Sequence, residues 1–247
     1  MKKLATVLLH LIAMLLTLPL AAQRARSQNF ASDFQTVPVL ANVTGVGGVV
    51  FHSYVALLNP TSSAFPVEVT LYDNAGTARN ATITLGAGEM RTYDNFLDAV
   101  FHYSGGGAAT FRTPNANNRF ILGTEVRTTP GGYSTMVPAL EFAGSSSPSF
   151  SGGVTVNTNS RTNIGCFNQS GAANRIVATV YDPTGHVAIG SVNLDLAAHA
   201  WGQTALTQIV SEGFVRFEPL EPAVCYAVVV NNSTSDGRFI QATEYTP

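Results

Sequence analysis

The feature that most constrains this chain is a phrase it says twice. LLNPTSSAFPVEVTLYDNAG runs from Leu57 to Gly76, and CFNQSGAANRIVATVYDPTG runs from Cys166 to Gly185. Asn59 and Asn168 lie 109 positions apart, as do Tyr72 and Tyr181, and the register holds without a gap from Leu57/Cys166 to Phe101/Val210. After a short deletion the offset becomes 106, pairing Phe111 with Phe217, Phe120 with Tyr226, Leu122 with Val228 and Tyr133 with Phe239. Solenoid units repeat every 20–50 residues or so. This period is that of a whole domain, so the chain carries a duplicated domain.

Each copy reads as β. Val67, Val69 and Leu71 alternate with Glu68, Thr70 and Tyr72, the period of a strand with one buried face. Ile176, Ala178 and Val180 repeat that phase. Asp73–Gly76 and Asp182–Gly185 then read as turns, because Asp closes the backbone locally and Gly accepts positive φ. Short runs near 81–85, 108–112, 119–127 and 133–139 are broken by Gly, Pro and Asn. About seven strands per copy predict an all-β sandwich. Two segments break the alternation. Asp94–Phe101 and Thr204–Val210 place apolar residues at helical spacing behind Asp94 and Thr204, which are good N-caps, so a short helix is expected in each copy. Gly105–Gly107 and Gly213 would turn the chain into the next strand. The expected organisation is a lead-in over 23–36, one repeat over 37–143, a Gly/Ser/Pro linker over 144–148 and a second repeat over 149–247.

The amino terminus predicts export. Lys2 and Lys3 precede an uncharged apolar run from Leu4 to Leu20, and Leu20-Ala21-Ala22 offers a small residue for cleavage. An uncleaved membrane anchor is the alternative, since the run approaches the ~20 apolar residues that span a bilayer. No Cys lies near the cleavage point, which argues against a lipoprotein. Only 11% of residues are charged, against about a quarter in an ordinary soluble domain. Lys2 and Lys3 are the only lysines, so removing 1–22 takes the formal charge from −2 to about −4. That leaves no basic patch for nucleic acid and no lysine for Schiff-base chemistry or for isopeptide staples.

The two quoted phrases resemble a tandem β-sandwich module, Ig-like, found in secreted bacterial proteins. In that group an Asn-Pro-like turn leads into a strand, a Tyr-Asp-x-x-Gly turn, a short helix and a Gly-rich stretch. The resemblance covers most of 37–247 and departs at Gln169, where Pro is expected. It implies two Ig-like sandwiches and supplies no catalytic residues.

Cys166 and Cys225 are the only cysteines, and disulfides persist in exported chains. A bridge would close a loop worth roughly 4 kcal/mol in the chain-entropy model. Two separate thiols remain open, because Tyr226 and Val228 read as inward-facing and would turn Cys225 the other way. His52, His102, His186 and His199 are scattered without metal-ligand spacing, and no Gly-x-Ser-x-Gly elbow occurs, although triads also assemble from distant residues. Glu89, Asp94 and Asp98 cluster around the first expected helix. Calcium takes such oxygens, but capping and dipole compensation explain them with less. Gly45-Val46-Gly47 lacks the strand-to-helix setting of a phosphate loop. Tyr72, Tyr93, Tyr103, Tyr133 and Trp201 are candidate ligand-stacking residues. No cofactor and no metal is called for.

The function expected from these features is an exported, non-enzymatic structural, adhesive or binding protein, with a protein or glycan partner at the cell surface. Nucleic acid is excluded, and the membrane enters only through an uncleaved signal. The rivals are a secreted carbohydrate-binding protein with an exposed aromatic row, a pilus-type periplasmic chaperone, and a hydrolase with a non-contiguous site. Such chaperones generally hold a carboxylate with an Arg–Lys pair, and the processed chain has no lysine. Self-association by strand addition is a further expectation, with Gln23–Gln35 and Val37–Leu40 as donors and uncharged runs such as Cys225–Val230 held in central strands. Export is testable by mass spectrometry of the native protein: the expected amino terminus is near Gln23, and an intact Met1 recovered from membranes would show an anchor instead.

Overall fold

The computed structural model describes residues 30–130, 132–141 and 144–244. The expected signal segment 1–22 and the first residues of the lead-in lie outside them. Repeat 1 contains β1 (Phe34–Thr44), β2 (Val50–Leu58), β3 (Phe65–Tyr72), β4 (Ala78–Leu85), β5 (Met90–Tyr93), helix α1 (Phe96–Phe101), β6 (Gly105–Arg112), β7 (Ile121–Thr129) and β8 (Ser134–Met136). Repeat 2 contains β9 (Ser149–Val156), β10 (Ser160–Asn168), β11 (Asn174–Tyr181), β12 (Ala188–Leu196), β13 (Trp201–Ala205), β14 (Val210–Pro219), β15 (Ala223–Asn231), β16 (Gly237–Gln241) and β17 (Thr243–Glu244).

The duplication is visible in the topology. One layer of repeat 1 has the order β4-β3-β6-β1 and the other joins β5, β2, β7 and β8. Repeat 2 gives β12-β11-β14-β9-β17 and β13-β10-β15-β16, which is the same pairing with a short terminal strand added. All pairings are antiparallel. Val67, Val69, Leu71, Ile176, Ala178 and Val180 are all buried, as the alternation requires. An immunoglobulin constant domain places its first, second, fourth and fifth strands in one sheet. Here the second–fifth and third–sixth pairs recur, while the first and fourth strands sit with the third and sixth.

The repeats differ at their first strands. β1 pairs with β6, shifts register between Val37 and Leu40, and then pairs with β2, so it fastens both layers of its sandwich. Pro38, which has no amide hydrogen, lies in that irregular stretch. The shorter β9 pairs only with β14 and β17. A buried hydroxyl makes the link that β9 lacks: Thr155 N–H donates to Thr162 Oγ1 (3.2 Å), as Ala41 N–H donates to Ser53 Oγ (2.8 Å) in repeat 1. β1 begins at Phe34, three residues before the expected start, with Gln35 and Thr36 buried. Val37–Leu40, expected as a strand donor, lies inside β1, where Val37 and Leu40 pair with Ala109 and Gly107 of β6. Cys225–Val230 lies in β15, flanked by β10 and β16, as expected of so uncharged a run.

The expectation of a helix in each repeat needs correction. Among the described residues α1 is the only α-helix, and its N-cap is Asn95, whose side chain accepts from Asp98 N–H, rather than Asp94. In repeat 2 the strand β13 runs through Ala205, and Thr204 stands opposite Ile164 in the ladder. A residue committed to a sheet cannot cap a helix, and the available partner strand overrides weak helical propensity.

The quoted Asn is the centre of each duplicated turn. Asn59 is fully buried; its amide donates to Ser63 O (2.8 Å) and Gly86 O (2.7 Å), and its oxygen accepts from Thr61 N–H (2.9 Å). Asn168, equally buried, donates to Ala172 O (2.8 Å) and Ala197 O (2.7 Å) and accepts from Ser170 N–H (3.1 Å). The turn thus does not need the missing proline. Asn168→Ala strips partners from buried backbone groups and is expected to cost about 2–3 kcal/mol in denaturant unfolding; a loss under about 0.5 kcal/mol would contradict this role.

Candidate interdomain cleft

β15 carries an unbroken apolar run because both of its faces are buried. Cys225 and Ala227 face the core of repeat 2, while Tyr226 packs into the cluster of repeat 1 with Val228 and Phe239 beside it. This resolves the phase conflict over the cysteines. Cys225 does point away from Tyr226, but into a core, where it stands directly opposite Cys166 across β10 and β15. The two form a disulfide, with Cα atoms 4.1 Å apart. A bridge of this kind points to an oxidising, extracytoplasmic compartment.

The outer face of the β13-β10-β15-β16 sheet is thus turned toward repeat 1. Its side chains fall into rows set by the register. Trp201, Phe167 and Val224 make the first row, and Gln203, Gly165 and Tyr226 the second. Ala205, Asn163, Val228 and Phe239 make the third, followed by Arg161, Val230 and Gly237.

The first two rows close against repeat 1. The Tyr226 hydroxyl accepts from Trp201 Nε1–H (3.1 Å) and donates to Gln203 Oε1 (2.9 Å). Gly165 makes room for the phenol, since a Cβ there would collide with the Tyr226 ring. Gly106 does the same on repeat 1, where an added Cβ would lie 2.6 Å from the Trp201 ring. Trp201 N–H also donates to Asp73 O (3.0 Å), and Tyr72 packs against Phe167 with ring centroids 5.2 Å apart. On the far side Thr135 Oγ1–H donates to Gly237 O (2.8 Å). Gln169, which stands where repeat 1 has Pro60, links repeat 1 to the linker: its amide donates to Thr36 Oγ1 (3.2 Å) and its oxygen accepts from Gly144 N–H. Ser145 is bridged to Ala223, so residues within the expected linker are held against repeat 2.

Where the rows diverge from repeat 1, a cleft of about 460 Å³ opens. Repeat 1 lines it with Val39, Val43, Phe51, Val126 and Tyr133, and repeat 2 with Trp201, Gln203, Asn163, Val228 and Phe239. Arg161 is the single charged residue of the lining. Its Nη1 donates to Asn232 Oδ1 (3.0 Å) at the rim.

Of the five candidate stacking residues, the structure brings Trp201 and Tyr133 to this cleft. Tyr72 is in the inter-repeat contact beside it. Tyr93 packs edge-on against Phe96, and Tyr103 lies under the Arg79 guanidinium at 4.8 Å; neither lines the cleft. The carboxylates near α1 do not converge. Glu89 binds Arg91 and the Gly86 amide, and that backbone hydrogen bond, then Arg91, holds its carboxyl below the usual range. Asp94 turns to Arg127 (3.1 Å) and His52 (4.0 Å). Among the described residues no group of three potential metal ligands occurs. His102 ends α1 in a left-handed conformation, and the His199 ring lies 5.7 Å from that of Tyr72, tilted by 34°. Sequence reasoning missed Gly165, Gly106 and the cleft as a whole. The available signal was the apolar run of β15, which marks a strand buried on both faces.

No protein-family model matches the chain, and no curated protein matches it. Among solved structures it is similar to the N-terminal CBM22-1-CBM22-2 tandem domain of Paenibacillus barcinonensis Xyn10C, at 10% identity over 81% of this chain and 79% of that one, with a TM-score of 0.19. It is also similar to a calcium-binding mutant of Bacteroides uniformis beta-glucuronidase 2, at 12% identity over 78% of this chain and 24% of that one, with a TM-score of 0.16.

Burial raises the Tyr226 phenol pKa far above its ordinary value, outweighing the opposing hydrogen bond from Trp201. The folded state therefore keeps a proton that the unfolded chain loses near pH 10. The contribution is fully present below about pH 10 and declines as pH rises above it. Tyr226→Phe is expected to lower stability by about 1–2 kcal/mol at neutral pH, by unpairing Gln203 and Trp201, and to flatten the loss of stability measured above about pH 10. An unchanged alkaline profile would contradict the assigned burial.

Proposed function

We propose that the chain is an exported, non-enzymatic binding protein in which two β-sandwich repeats, akin to the tandem modules of secreted bacterial proteins, hold a ligand between them. The carrying observation is that the only tryptophan of the chain lines an apolar interdomain cleft of about 460 Å³. Small-molecule sites are typically concave, mostly apolar, of some 300–1,000 Å³, and frequent at domain interfaces. The disulfide fits release into the periplasm, to the cell surface or beyond. A glycan ligand is the second reading, favoured by Trp201 and Tyr133 lining the same cleft, since such rings present an apolar face and a polar tip.

Trp201 provides the readout. A neutral apolar dye, Nile red, is expected to bind the wild-type protein and quench Trp201 emission. Ala205 lies on the edge strand β13, is exposed and lines the cleft. Ala205→Phe fills that space and is expected to weaken dye binding by about tenfold at unchanged melting temperature. Absent binding, or binding indifferent to Ala205→Phe, would show that the cleft is not the site.

A further inference from the structure

We infer that the ligand of this cleft is a small amphipathic monocarboxylate, its acid group at Arg161 and its apolar body running toward Trp201. The inference rests on the binding reading above and adds the chemical class and orientation of the ligand.

The register fixes the axis. Along β10 the cleft-facing side chains step from Gly165 through Asn163 to Arg161, and each row carries its neighbours on β13, β15 and β16. Strand rise is about 3.3 Å per residue, so the Arg161 row lies about 13 Å from the Gly165 row. The Gly165 row is filled by Tyr226 and the row beyond it by Trp201, both in contact with repeat 1. The cleft therefore has an aromatic, sealed end and a charged, outer end.

The chemistry differs along that axis. Val228, Phe239 and Val126 offer only hydrocarbon, which suits an alkyl or aryl body. Asn163 and Arg161 on one strand offer amide and guanidinium donors at the outer end. Arg161 forms none of the salt bridges among the described residues, and Asn232 Oδ1 is its side-chain acceptor. A planar guanidinium binds a carboxylate through paired, charge-assisted hydrogen bonds, and a neutral wall around it strengthens that attraction over the one in water. A cationic ligand would meet repulsion with no acid in the lining to offset it. A sugar would turn hydroxyls toward Val228, Phe239 and Val126, at a cost for each one left unpaired, and would leave Arg161 without an anion. An extended alkyl chain gains about 1.3 Å per carbon from ordinary bond geometry, so about ten carbons cover the distance.

The test compares decanoate, decanol and decyltrimethylammonium by their displacement of bound Nile red and the shift of Trp201 emission at neutral pH, below the concentration at which each aggregates. Decanoate is expected to bind at least about tenfold more tightly than decanol, and the cation least tightly. Arg161→Met should abolish the preference for decanoate while leaving decanol unchanged, and Arg161→Lys should restore part of it. Arg161 is at the rim, so its loss should not move the melting temperature. Equal binding of decanoate and decanol by the wild type, or a preference that survives Arg161→Met, would overturn the inference. With Nile red still bound in a manner sensitive to Ala205→Phe, that result would leave the cleft as a site for neutral ligands. Failure of all four probes would overturn the inference together with the binding reading.

Discussion

A single buried phenol organises the join between the repeats. The Tyr226 side chain projects from the sheet of repeat 2 into the core cluster of repeat 1 and is fully buried there. A buried hydroxyl must find partners or cost stability, and Trp201 and Gln203 supply one donor and one acceptor from the edge strand β13, reaching across β10. The arrangement is possible only because Gly165 and Gly106 let the two aromatic rings lie flat against backbone. Once Tyr226 and Trp201 are placed, the first two rows of the sheet are committed to contact, and the remaining rows form the wall of the cleft. The same strand carries Cys225 on its other face, so the bridge to Cys166 fixes β15 to β10 directly behind the phenol.

Much of this fold is legible in the sequence because β-structure with one buried face leaves a period of two. Val67, Val69 and Leu71 and their counterparts Ile176, Ala178 and Val180 were readable for that reason, and the duplicated Asn59 and Asn168 marked equivalent turns. The reading failed where tertiary context decided. Thr204–Val210 has helical spacing, but β10 offered a free edge and took Thr204 into its ladder. The inward phase of Tyr226 opposes a disulfide only if one face of β15 is solvated, and both of its faces are packed. The candidate aromatics formed no row, since nothing in one sequence tells a ring that lines a cleft from one that fills a core.

The cleft itself is a product of duplication followed by divergence. Both repeats keep the same strand order, yet β1 ties its two layers together whereas β9 does not. Gln169, which stands where repeat 1 has Pro60, makes one hydrogen bond to repeat 1 at Thr36 and one to the linker at Gly144. Arg161 and Asn163, facing the cleft from β10, stand at positions matched in repeat 1 by His52 and Tyr54. The two copies thus use equivalent positions for different surroundings, and only repeat 2 directs a cation into the space between them.

If the buried Tyr226 contact makes one body of two repeats, they should unfold together. Scanning calorimetry of the oxidised protein tests this directly. The account predicts one transition, with calorimetric and van't Hoff enthalpies equal. Two resolved transitions, or a calorimetric enthalpy about twice the van't Hoff value, would show that the repeats are independent and that no fixed cleft lies between them.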